Sequence, residues 1–152
     1  MSDVLTVRDL QVEFATDDNR LIKAVNGISF ELKRGQTLGI VGESGSGKSV
    51  TSLAMMGLIP TPGKVTAGQI QFWEADGQAL DLLQLSPAQM QKYRGDRLAM
   101  VFQEPMSALN PVFTIGFQLT EAIRLHQNVS QAEARRQATA RLQEVKLLPS
   151  DE

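Results

Sequence analysis

Eight consecutive residues bring three glycines, a lysine and a hydroxyl together. Gly42-Glu43-Ser44-Gly45-Ser46-Gly47-Lys48-Ser49 is a complete match to the pattern G-x-x-x-x-G-K-[ST]. Each residue type suits the binding of a triphosphate. A dense anion needs several N–H donors aimed at one place. A loop wrapped around it supplies them if side chains do not crowd the wrap, and Gly42, Gly45 and Gly47 remove that obstruction. A helix starting near Gly47 adds the positive end of its dipole. Lys48 brings a mobile point charge to the β- and γ-phosphates. Ser49 offers a hydroxyl to a Mg2+ ion that bridges the same phosphates. The pattern predicts a nucleoside triphosphate site that uses Mg2+.

Such a loop works only between a strand that delivers the chain and a helix that leaves it. Thr37 to Val41 is short, mostly apolar and ends at glycine, which predicts a strand buried on both faces. Beyond the loop, Val50, Leu53, Ala54, Gly57 and Leu58 fall on one helical face, with Pro60 and Pro62 expected to end the helix. Upstream, Leu10 to Phe14 and Ile28 to Lys33 alternate apolar with polar, the strand period, and Asp17-Asp18-Asn19 is turn chemistry between them. Downstream, Gln69 to Trp73 reads as a strand followed by the hairpin signal Asp76-Gly77. Ser86-Pro87-Ala88-Gln89 opens a short helix to about Tyr93, and Leu98 to Phe102 reads as another apolar strand. The last third is helical. Ile115, Leu119, Ala122 and Ile123 share one face. Ser130-Gln131-Ala132-Glu133 caps a second helix whose stripe is Ala134, Ala138, Leu142 and Val145, with Arg135, Arg136 and Arg141 on a solvated face.

Bulk properties narrow the classes. The chain has 152 residues, the size of one domain, and is 42% hydrophobic and 21% charged, as in globular proteins. A net charge of −2 gives no broad basic surface, so nucleic acid is not an expected partner. The absence of cysteine excludes disulfides and thiolate metal sites. No apolar run approaches the roughly 20 residues that span a bilayer, and the N-terminus lacks a signal pattern, which predicts a cytoplasmic chain. The GTP-switch motifs D-x-x-G and N-K-x-D are both missing from the sequence.

Two segments carry a family resemblance. Gly39 to Val50, GIVGESGSGKSV, resembles the P-loop of the ABC-transporter ATPases. Phe102 to Pro111, FQEPMSALNP, resembles the Q-loop of the branch that powers oligopeptide, dipeptide and glutathione importers. Ala24 to Ser49 is similar to that branch without a gap, and the resemblance covers essentially all 152 residues. It implies an α/β fold: an incomplete P-loop NTPase (ABC ATPase) core with an N-terminal antiparallel β subdomain and the start of the helical subdomain. Residues 1–152 would form a partial nucleotide-binding domain. About 1–36 and 64–83 would make the β subdomain, 37–60 the P-loop strand and helix, 97–111 the Q-loop region and 112–148 the helical subdomain.

The resemblance also implies roles. ATP and Mg2+ are the implied cofactors. The binding set is Phe14 with Gly42, Glu43, Ser44, Gly45, Ser46, Gly47, Lys48, Ser49 and Val50. Phe14 stands where the family has an aromatic that stacks on adenine, although it equally extends the Leu10/Val12 apolar face. Gln103 matches the Q-loop glutamine, whose amide reaches Mg2+ or the attacking water. Lys48 and Gln103 are thus the implied catalytic pair, and Ser49 and Gln103 the metal contacts. The implied partners are transmembrane permease subunits and a second ABC ATPase subunit, as a homo- or heterodimer. That would hold the chain at the inner face of the cell membrane through the permease.

Several family elements are not found in this sequence. The glycine-rich signature loop has no match, since Gly116 is the last glycine. The second nucleotide motif (Walker B) is an apolar strand ending in Asp and followed by a catalytic Glu. Asp151-Glu152 follows Leu147-Leu148-Pro149-Ser150, which proline disqualifies as a central strand. His126, the only histidine, reads as a helix-end residue and not as the family's switch histidine. The expectation is an ATPase subunit of a peptide-type importer, present here in part, so that this chain alone binds ATP without turning it over. The alternatives are a truncated nucleotide-binding fragment with no hydrolytic role and, more distantly, a P-loop kinase or other phosphotransferase.

Overall fold

The computed structural model describes residues 3–18, 20–102 and 109–149. The chain divides into two compact units, Met1–Gln91 and Lys92–Glu152.

The first unit is built on a four-stranded antiparallel sheet. Strand β1 (Asp3–Ala15) lies between β2 (Leu21–Lys33) and β3 (Gly63–Trp73), and the short β4 (Ala79–Asp81) pairs with β3. β1 buries Leu5 and Val7, then Leu10 and Val12. Those pairs are out of phase by one residue. A bulge at Arg8-Asp9 absorbs the difference, and the register to both neighbours shifts there. Asp9 takes a φ of 47°, and its N–H donates to the Ser29 hydroxyl at 2.9 Å. Gly68 of β3 lies opposite, where a Cβ would fall 2.6 Å from Leu10 Cα. The core is completed by Val25, Ile70 and Phe72. Each such side chain contributes about 1.5–3 kcal/mol on burial. The β3–β4 turn follows the Asp76-Gly77 signal, with Gly77 at φ 84° and Gln78 N–H on the Asp76 carboxylate.

Helix α1 (Lys48–Met55) lies against β1 and β2 and buries Thr51 and Ala54. It stops before the prolines. Gly57 takes φ 61° and donates to Ala54 O, while Leu58 N–H donates to Leu53 O, a Schellman end. The expected stripe therefore ends early, and Leu58 is 41% exposed. Helix α2 (Pro87–Tyr93) opens with a full capping box. Ser86 N–H donates to Gln89 Oε1 at 2.9 Å, and Gln89 N–H returns to the Ser86 hydroxyl.

Two expected strands do not form. Residues 37–41 have no ladder partner among the described residues, and Val41 is 92% exposed. Residues 98–102 show only a single bridge, Arg94 to Leu98, and Val101 is 96% exposed. An apolar run suited to the middle of a parallel sheet needs a strand on each side. Its own residues cannot supply one.

The second unit is a helical pair, α3 (Ile115–His126) against α4 (Gln131–Glu144). Ala134 and Ala138 of α4 and Thr120 of α3 are buried. The rest of the expected stripes is less covered: Ile115 is 53% and Val145 64% exposed. Thr114 and Ser130 cap the two helices through their hydroxyls. The α4 arginines face solvent, Arg136 paired with Glu133 and Arg141 with Glu144. The hydrogen bond from Arg136 holds the Glu133 carboxyl below the usual carboxylate range. His126 ends α3 and lies over Gly95, where a Cβ would stand 2.6 Å from Nε2.

Candidate functional site: a phosphate cradle at the start of the first helix

The glycine-rich loop runs directly into α1, as its residue types require. Gly45 and Gly47 take φ values of 82° and 89°, a left-handed backbone that L side chains rarely adopt. Gly47 also has no room for a side chain. Its Cβ would collide with the Ala24 carbonyl oxygen and stand 3.3 Å from Val25 Cγ2. The cause lies in β2. The register passes from Val12–Val25 to Glu13–Lys23 and leaves Ala24 as a bulge, whose carbonyl then meets the loop. Gly42 is tight as well, since a Cβ would fall 2.6 Å from Ser46 Oγ.

Lys48 curls back over this loop. Its ammonium donates to Gly42 O and Glu43 O, both at 2.7 Å, and to Ser46 Oγ at 3.4 Å. Ser46 N–H closes the turn on Glu43 O. Thr51 anchors the first helical turn, its N–H and hydroxyl both donating to Gly47 O. Residues 42–46 and Ser49 are exposed, and Lys48 is half-buried.

The start of α1 differs chemically from the other helix starts. No side chain caps it, whereas Ser86, Thr114 and Ser130 cap the starts of α2, α3 and α4. The first four N–H groups of a helix have no intrahelical acceptor. Here they meet a glycine loop, a lysine and a serine hydroxyl. This donor set suits an anion and, through Ser49 Oγ, a hard cation beside it. The residues present therefore fit a Mg2+-bound polyphosphate.

Phe14 is half-buried near the end of β1. It is paired with Ile22 on one side and Gly63 on the other. It shares a strand face with Val12, the partner of Val25. Gln103 lies outside the described residues, as do its neighbours to 108. Ala24 and Thr51 were not legible as site residues. An alanine in a strand and a threonine in a helix carry no motif, and only the β2 bulge and the helix start bring them to the loop.

Among the described residues no helix is long and apolar enough to cross a membrane. A glycine-rich phosphate cradle at a helix start, beside an antiparallel β subdomain, defines a P-loop nucleotide-binding protein. The chain belongs to the ABC transporter family, whose family model matches residues 25–151. It is 49% identical over 146 residues to the glutathione import ATP-binding protein GsiA of Salmonella paratyphi A. It is 47% identical over the same length to the GsiA of Escherichia coli K12. Each match covers 95% of this chain and 23% of the relative, so the chain spans under a quarter of the length of these proteins. The fold is part of an ABC ATPase cassette. It superposes on the dimeric post-hydrolysis state of the ATP-binding cassette MJ0796 bound to ADP and Pi, with a TM-score of 0.77, 22% identity, and coverage of 95% of this chain and 58% of that one. The dimeric structure of MJ0796, a bacterial ABC transporter cassette, matches with a TM-score of 0.76 at the same identity and coverage.

Proposed function

We propose that this chain is the ATP-binding part of an ABC importer ATPase that energises uptake of peptides or similar small solutes. The observation that carries the proposal is the cradle: a glycine loop with Lys48 folded over it, ahead of an uncapped helix start. The import branch is supported by the GsiA relatives, which are glutathione import ATP-binding proteins.

In this reading the loop N–H groups from Gly42 to Val50 hold the phosphates, and Lys48 exchanges its loop carbonyls for phosphate oxygens. Ser49 and Gln103 would hold Mg2+, which when bound neutralises charge on the β- and γ-oxygens. Phe14 offers its ring to adenine. Gln103 orients water and couples the site to the permease. Residues 1–36 and 64–83 form the β subdomain, 37–60 the P-loop segment, 97–111 the Q-loop region and 112–148 the helical subdomain. A permease holds the protein at the inner membrane face, and a second ATPase subunit closes the site.

A narrower reading is favoured by the sequence itself. It has no match to the family's signature loop, catalytic Glu or switch histidine. The chain by itself then binds ATP without turnover. Hydrolysis needs an oriented water, stabilised γ-phosphoryl charge and a closed site. Lys48 and Ser49 address only the charge. Phosphate release from the purified chain is the test, with Lys48→Ala as the contamination control. The expected result is no release above that control. Turnover of about 1 s⁻¹ that vanishes in Lys48→Ala would overturn the binding-only reading.

A further inference from the structure

We infer that Gly63, with Ile59 beside it, is a positioning residue for base recognition by Phe14; this rests on the proposal that Phe14 is the adenine platform. Phe14 and Gly63 are direct partners across β1 and β3. The Phe14 ring occupies the space that any other residue at 63 would take. A Cβ there would stand 2.5 Å from Phe14 Cε1, 2.7 Å from Phe14 Cζ and 2.7 Å from Ile59 Cγ2. The φ of Gly63 lies outside the left-handed region, so the demand for glycine is one of space and not of backbone.

The backing is held in place locally. Gly63 N–H donates to Pro60 O at 2.8 Å, closing a turn that follows Ile59. That segment starts just beyond Gly57, where the helix bearing Lys48 and Ser49 ends. Gly63 thus lies against one part of the ring, Ile59 borders the same space, and Phe14 remains only half-buried. A base stacks well only on a ring of defined tilt. Here the tilt is set by a missing side chain. An added methyl must push the ring or Ile59 aside, disturbing the base platform and leaving the phosphate loop at 42–49 untouched.

The test is a titration of MgATP and of Mg-tripolyphosphate into the chain, Phe14→Ala, Gly63→Ala and the double variant. Phe14→Ala is expected to weaken ATP at least about fivefold and to leave tripolyphosphate within about twofold. Gly63→Ala is expected to show the same ATP-selective loss. The double variant is expected to bind no more weakly than Phe14→Ala, because removing the ring frees the space. If Phe14→Ala weakens ATP selectively and Gly63→Ala does not, or if Gly63→Ala weakens both ligands equally, the positioning role is overturned and the platform stands. Equal loss of both ligands in Phe14→Ala overturns the platform itself. Should Gly63→Ala not fold, Ile59→Ala decides, since it removes backing without crowding. An ATP-selective loss supports the inference, and an unchanged ratio between the two ligands overturns it.

Discussion

The two positive-φ glycines of the phosphate loop impose different demands. At Gly45 a side chain would meet nothing within 4 Å, so only the backbone penalty applies. At Gly47 the same penalty is joined by collision with the Ala24 carbonyl, a backbone atom that cannot step aside cheaply. Gly45→Ala is therefore expected to cost about 1–2 kcal/mol of stability. Gly47→Ala should cost at least about 3 kcal/mol and disorganise the start of α1. Urea unfolding of both variants separates the cases, and equal costs would contradict the role given to the Ala24 bulge. The loop itself was readable from residue types, because glycine, lysine and serine at those spacings have few other uses. The bulge that tightens it was not, since register is a property of two strands and Ala24 is unremarkable in either. Phe14 shows the same limit. Its alternation with Leu10 and Val12 is visible, whereas its pairing with a glycine emerges only across the sheet.

Helix ends were well marked where they rest on short-range chemistry. Ser86 and Ser130 act through hydrogen bonds within a few residues, and such bonds follow from local sequence, whereas Gly57, expected within the α1 stripe, ends that helix ahead of the prolines. The same logic identifies a weak point. Helix α4 also ends in a Schellman arrangement, with Leu147 N–H on Leu142 O and Lys146 N–H on Gln143 O. Its left-handed position is held by Lys146 at φ 59°, where glycine is the favoured residue. Lys146→Gly is expected to stabilise the helical unit by about 0.5–1 kcal/mol, read as a rise in its thermal midpoint. A fall would mean that the lysine side chain contributes more than its backbone costs. Residues 37–41 and 98–102 failed as strands for the opposite reason. Both are apolar enough for buried strands, but a strand exists only with a partner, and pairing is long-range information.

At the scale of the molecule, the well-packed part is the antiparallel sheet with α1 leaning on it. Leu38, Ile40 and Val41, on the approach to the loop, are 43%, 43% and 92% exposed. The glycine-rich loop is thus braced from β2 and α1, through Val25, the Ala24 carbonyl and Thr51. The central claim is that the loop is a nucleotide site with Lys48 as its principal cation. Calorimetric titration of MgATP into the chain and into Lys48→Ala tests it most directly. Saturable binding by the chain is expected, with a loss of at least about 2 kcal/mol in the variant, the scale of a charge-assisted contact. Equal affinity in the two proteins would contradict it.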